Sequence, residues 1–305
     1  MARHGIEPAQ LVLQYTIPAD GSGSSIVIVD LARDLSAVNR RLYRQGYTYA
    51  VGKVSFNQVA PKTNTILLAQ TAGNTWMIHN AWKKGYALWR SQINEVLDVM
   101  PGTEGKWADF KVKLDDSGAT YLSCIASDGG AMASDEWNFS EYVWDDDGTE
   151  RKPPFHLIGA TDLTSSIGLV QEYHISRAQQ GAEPVISSDQ SDSIYAKSLG
   201  TDEMSDMLID NLESENDLAP YDASEMVGGD TVADSPWIQA YAFSNTDAGQ
   251  QGRLEGFAAE CGLIKFQAIS VSAADGTTAA ATEVLLFVHL VPGPYRGVLA
   301  ERMGQ

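Results

Sequence analysis

The stretch AVNRRLYRQGY at residues 37–47 places Arg40, Arg41 and Arg44 within five positions, with Arg33 two helical turns before Arg40. Guanidinium groups at this density suit forked hydrogen bonding to phosphate or carboxylate. The chain as a whole carries a formal net charge of -19, so such a cluster is out of character with its surroundings. Nucleic-acid phosphate and the acidic face of a neighbouring protein are the two partners this chemistry fits. A solvated helix face is the plain alternative. Lys83 and Lys84, with Arg90 beyond them, make a second and smaller basic set.

Other chemistry is poorly signalled. The histidines are His4, His79, His156, His174 and His289, and their spacing forms no metal motif. Clustered histidines with a carboxylate, as a cupin-type site would want, are missing from the sequence pattern. So are GxSxG, HExxH, the P-loop and GxGxxG. DDDG at 145–148 lacks the alternating aspartates and distal glutamate of a calcium loop and reads as an exposed turn. No catalytic residue, metal or cofactor is expected.

The elements that position the arginines are readable. In DLARDLSAVNRRLYRQG, Leu31, Leu35, Val38 and Leu42 recur at helical spacing, and Arg33, Arg40 and Arg44 fall opposite them. Asp30 suits the N-cap and Gly46 the C′ position, so a helix is predicted between them. A second helix is predicted over 76–100, with Trp82, Tyr86, Trp89, Ile93, Val96, Leu97 and Met100 in one apolar stripe. Pro101-Gly102 ends it. Its face of Trp82, Trp89 and Ile93 should pack on the sheets or on a neighbouring subunit.

Around these helices the pattern is β. Runs rich in β-branched and aromatic residues occur at 10–17, 24–31, 47–57, 64–71, 109–114, 121–126, 137–144, 155–160, 167–176, 237–244, 262–273 and 281–291, separated by Gly, Pro, Asp and Asn. In the last run both alternating faces are apolar, which predicts a strand covered on both sides. The spacing fits a compact all-β sandwich of eight principal strands with inserted helices. A break near residue 150, with one β domain in each half, is the competing topology. The division expected is residues 1–46 for the first strands and the arginine helix, 47–291 for the main sandwich, and 292–305 for a tail. In the tail, Pro292 and Pro294 stop strand pairing, and Tyr295 and Arg296 are candidates to reach an adjoining subunit.

Charge is unevenly distributed. Residues 1–100 are net +4 and residues 101–305 net -23. Residues 181–235 hold fourteen acids against the single base Lys197, and would repel an enclosed polyanion. TDEMSDMLIDNLESEN at 201–216 inside that segment has a narrow apolar face and is predicted as a short helix. Cys124 and Cys261 sit in apolar runs and read as buried thiols. No apolar run approaches the roughly 20 residues of a membrane span, and MARHGIEPAQ lacks the form of a secretion signal.

Three stretches taken together, VNRRLYRQGYTYAVGKVSF, NTWMIHNAWKKGYALWRSQ and CGLIKFQAISVSA with LLFVHLVPGPYRGVLAERM, resemble capsid proteins of small viruses with circular single-stranded DNA. The resemblance implies a jelly-roll subunit, with a single barrel favoured and a double barrel as the alternative. It further implies self-assembly into an icosahedral shell within a virion, around a genome. Many such proteins begin with an Arg/Lys-rich arm, whereas this chain has only Arg3 and His4 there. The arginine helix, with Lys83 and Lys84, is then the candidate contact for genome or neighbour. The rival reading is a sugar- or receptor-binding β-sandwich of the adhesin type, for which seven tryptophans and twelve tyrosines supply stacking surfaces. A jelly-roll hydrolase ranks below both.

Overall fold

The structure, a computed structural model, describes residues 9–21, 23–58, 64–125, 130–132, 136–146, 148–162, 164–177, 238–244, 251–271 and 283–303. The acidic segment 181–235, with the helix expected at 201–216, lies outside the described residues.

The chain opens with strands β1 (Val12–Ile17) and β2 (Ser24–Asp30), passes through helix α1 (Leu31–Asn39), and returns as β3 (Tyr47–Gln58) and β4 (Asn64–Thr71). Helix α2 (Trp76–Val99) and the short strand β5 (Thr120–Leu122) follow. An irregular stretch then carries β6 (Trp144–Asp146), β7 (Thr149–Arg151), β8 (Phe155–His156) and β9 (Ile167–Gly168), and ends in helix α3 (Leu169–Arg177). Strands β10 (Ile238–Ser244), β11 (Gly252–Leu254), β12 (Phe257–Ala259), β13 (Leu263–Val271) and β14 (Val284–Leu290) complete the sheets. The last residues form β15 (Pro292–Gly293), β16 (Gly297–Val298) and β17 (Ala300–Arg302).

Two sheets dominate. One runs β1–β14–β3–β11, with β12 and β17 also paired to β3, and the other runs β10–β4–β13–β2–β5. All these pairs are antiparallel except β2 with β5. The pairing is nested: β1 meets β14, β2 meets β13, β3 meets β11 and β12, and β4 meets β10. Strands from both halves of the chain therefore share each sheet, and the two-domain division near residue 150 is not found.

The main core lies between the sheets. Tyr15, Val54, Phe56 and Leu286 of the first sheet meet Val27, Val29, Leu67 and Phe266 of the second, all fully or almost fully buried. Each such side chain contributes roughly 1.5–3 kcal/mol of hydrophobic stabilisation. A second core sits where α2 and α3 cover the other side of β2. Ile28 turns toward it while its neighbours Val27 and Val29 face the first, as the period-two alternation of a strand requires. Met77, Ile78, Ala81 and Trp89 of α2 pack there with Phe110, Phe155 and Leu169.

Three expectations are corrected. The run at 167–176 forms two residues of strand and then α3, because Leu169, Val170 and Tyr173 also satisfy a helical spacing and short apolar runs do not distinguish the periods. The run at 109–114 makes only an isolated bridge, Lys113 to His156, though Phe110, Val112 and Leu114 are buried. In β14 the residues Val284, Leu286, Val288 and Leu290 are buried as read, but the opposite face is only half-buried.

Candidate functional site

Helix α1 carries only Arg33 of the four arginines, because it is shorter than the periodicity suggests. Asp30 caps it as expected, its Oδ1 accepting the Arg33 backbone N–H at 3.0 Å. The helix ends at Asn39, and Arg40 takes the left-handed conformation at φ 56°. Gly46, read as the C′ glycine, serves packing instead: a Cβ there would stand 2.8 Å from the Trp82 ring of α2. The early stop breaks the arginine stripe, because Arg40 and Arg44 no longer share a helix with Arg33.

The four arginines consequently have different environments. The Arg33 side chain is only 10% exposed and is held by Asp34, with its Nε 3.0 Å from Oδ1, and by the Leu122 carbonyl. Asp34 is itself buried, accepts the Tyr15 hydroxyl at 2.8 Å, and has its pKa pushed up to about 6 by burial, against the pull of Arg33. Asp30 is fully buried and accepts two further donors, Gln45 Nε2 and Trp137 Nε1, each at 2.8 Å. Burial raises its pKa also, with Arg33 opposing. Arg33 thus belongs to a buried polar hub that ties α1 to β1, to the 43–46 turn and to the 137 segment. It does not project from a helix surface.

Arg40 and Arg41 are exposed. Arg44 points outward to Asp109, 3.4 Å away, while its backbone N–H donates to the Tyr295 hydroxyl oxygen at 3.1 Å. Tyr295 stacks on Tyr47 at 3.9 Å between centroids and meets Tyr43 edge-on at 5.9 Å. Arg296 donates to the Leu42 carbonyl, and its own carbonyl accepts the Tyr43 hydroxyl at 2.8 Å. Tyr295 and Arg296, expected to reach an adjoining subunit, are therefore both engaged with their own chain. The tail is an ordered exit whose partner is the segment following α1. Lys83 and Lys84 are exposed on α2, and Lys84 borders an apolar groove of about 550 Å³ between α2, α3 and Tyr142.

Arg33 and Arg40 are brought together at one place, a cavity of about 610 Å³ beside α1. Its other wall comes from residues 105–108 with Lys111, and from Met132, Glu136, Trp137 and Asn138, which the sequence reading did not single out as a site. Lys111 lies there, 7% exposed, with Nζ donating to the Trp107 carbonyl at 3.1 Å and standing 4.7 Å from the centre of the Trp137 ring. Burial lowers its pKa, and the charges of Asp109 and Asp30 counter the shift. Two lysines flanking two aromatics in the run KWADFK are the signal that was available in the sequence.

Elsewhere, His79 Nε2 sits 3.2 Å from the buried Glu260 carboxylate, and Lys265 pairs with Asp115 at 2.7 Å. Cys124 and Cys261 are buried free thiols with pKa values raised by burial, that of Cys124 to about 12. Among the described residues there is no group of three or more His, Cys, Asp or Glu that could hold a metal, and no helix long and apolar enough to cross a membrane. No family model, no curated protein and no solved structure matches this chain.

Proposed function

We propose that this chain is a self-assembling viral capsid protein, a jelly-roll subunit with one barrel per chain that packs in many copies into an icosahedral shell around a genome. The observation that carries the reading is the nested strand pairing. Within the six- and five-stranded sheets the strand orders β1–β14–β3–β11 and β2–β13–β4–β10 are those expected when a ribbon of nested pairs folds over on itself as a jelly roll, and this supports the reading. The helices interrupt this ribbon between β2 and β3 and between β4 and β10, as insertions that leave the roll continuous.

An exposed apolar surface adds support at the level of a site. The last turn of α2 leaves the second core, with Val96 55% and Val99 80% exposed and the capping Met100 uncovered; Leu88 is uncovered on the same helix. Uncovered apolar side chains gathered at one helix end favour a protein contact. The occupant in this reading is another copy of the chain.

Purified chain should elute as a large particle on a sizing column and show closed shells of uniform diameter in negative stain. A monomer at every protein and salt concentration tried would overturn the assignment. The sugar-binding alternative draws on the exposed indoles of Trp76 and Trp107. A persistent monomer that retains one glycan from an array would favour it.

A further inference from the structure

The cavity beside α1 combines two kinds of surface. One is cationic: Arg40, Lys106 and Lys111 line it, with Glu136 as their main opponent, because Asp34 is already paired with Arg33. The other is aromatic: the Trp107 indole is 43% exposed at the cavity wall, and no ring stacks on it among the described residues. Lys111 is held over Trp137 with one protein acceptor for its three N–H groups among the described residues, so its remaining donors have capacity for an anion. Arg40 is fixed at the lip by a left-handed backbone that a side-chain-bearing residue adopts at a cost. The volume, about 610 Å³, is in the range of small-ligand pockets.

A bare anion would leave the indole unused, and a neutral aromatic would leave the cations unused. We propose that this cavity binds a nucleotide, with the base against Trp107 and the phosphate held by Lys106, Lys111 and Arg40. Stacking on an exposed ring together with lysine and arginine at the phosphate is the general chemistry of single-strand binding. The inference does not depend on the capsid reading, since an unassembled subunit holds the same cavity. The nucleotide could be free or part of a strand. A second cavity of about 470 Å³, which shares Arg40 and Met132 with the first, gives room for a following residue.

The experiment is a calorimetric titration of the full chain with deoxyadenosine, deoxyadenosine monophosphate, a ten-residue oligodeoxyadenylate and oligoglutamate, each at two salt concentrations. The monophosphate should bind at least about tenfold more tightly than the nucleoside. Trp107→Ala should weaken binding about tenfold or more, as loss of one stacked base does. Lys106→Gln should weaken it and reduce the log–log salt slope by about 0.7 if a strand is bound. Both positions are exposed, and circular dichroism of each variant checks that the fold is kept. An oligonucleotide much tighter than the monophosphate identifies a strand, and equal affinities identify a free nucleotide. The proposal is overturned if the nucleoside binds as well as the monophosphate, if oligoglutamate binds as well as the oligonucleotide, or if both folded variants bind like the parent.

Discussion

Helices α1 and α2 invert the usual relation between residue type and exposure. In α1, a nine-residue helix, Asp34 and Ser36 are buried and Arg33 nearly so. In α2, a 24-residue helix, Val96, Val99 and Met100 are among the exposed residues. The difference follows from position. α1 is set directly between β2 and the turn leading to β3, so most of its surface outside the cavity is met by protein, and its buried polar groups are stable there because each finds a partner. α2 starts in a core and outruns it. Its first three turns bury Met77, Ile78, Ala81 and Gly85 against α3 and Phe155, and by Val96 the supporting layer has ended. A buried charge here reports internal architecture, and an exposed valine reports where the layer supporting α2 ends.

The largest expected effect breaks the α1 side of this contrast. Asp30→Ala would leave the Arg33 backbone N–H, Gln45 Nε2 and Trp137 Nε1 without their acceptor. An unsatisfied buried donor costs about 1–3 kcal/mol, so the summed loss should exceed about 3 kcal/mol in urea unfolding. A change under 1 kcal/mol would show that the hub is not a structural centre. Asp30→Asn, which keeps a capping oxygen, should recover part of the loss.

A smaller effect concerns protonation of that hub. The folded Asp34 carboxyl has its pKa raised to about 6 from an ordinary 3.8. As pH falls through about 6 the folded chain takes up a proton that the unfolded chain binds only near 4. This group therefore adds stability as pH falls across that window, and its full cost is present above about pH 6. Asp30 shifts in the same direction. The urea midpoint difference between parent and Asp34→Asn should change between pH 7 and pH 4.5, and a pH-independent difference would contradict a raised pKa at this site.

The smallest effect on the subunit tests α2. Val99→Ser with Met100→Ser should alter unfolding free energy by no more than about 0.5 kcal/mol per site, as exposed positions do. The same pair should lower the yield of particles measured by light scattering. Unchanged particle yield would remove the distal helix from the assembly contact.

Much of the sandwich was legible because its strands obey local rules. β1 to β4, β10, β13 and β14 fall close to the apolar runs that announce them, and the N-cap of α1 follows from Asp30 alone. The arginine site was legible only as composition. The periodicity of Leu31, Leu35, Val38 and Leu42 continues past Asn39, but a tertiary choice, the left-handed turn at Arg40, ends the helix and scatters the stripe. Gly46 carried a signal with two meanings, a cap or a close contact, and the Trp82 ring decides between them. Lys111 and Trp137 join Arg33 from more than seventy residues away, a proximity that no local pattern encodes.

The nesting of the strands also fixes an order of events. β1 pairs along its whole length with β14, and β14 lies between β1 and β3 at the middle of its sheet. During synthesis, then, the amino-terminal strand must wait with an open edge until residues 284–290 have emerged. Folds dominated by such distant contacts form slowly, on the scale of milliseconds to seconds. A ribosome-bound fragment lacking β14 leaves the first sheet without the strand that joins β1 to β3, so topology alone defers completion of the sandwich until that strand has emerged.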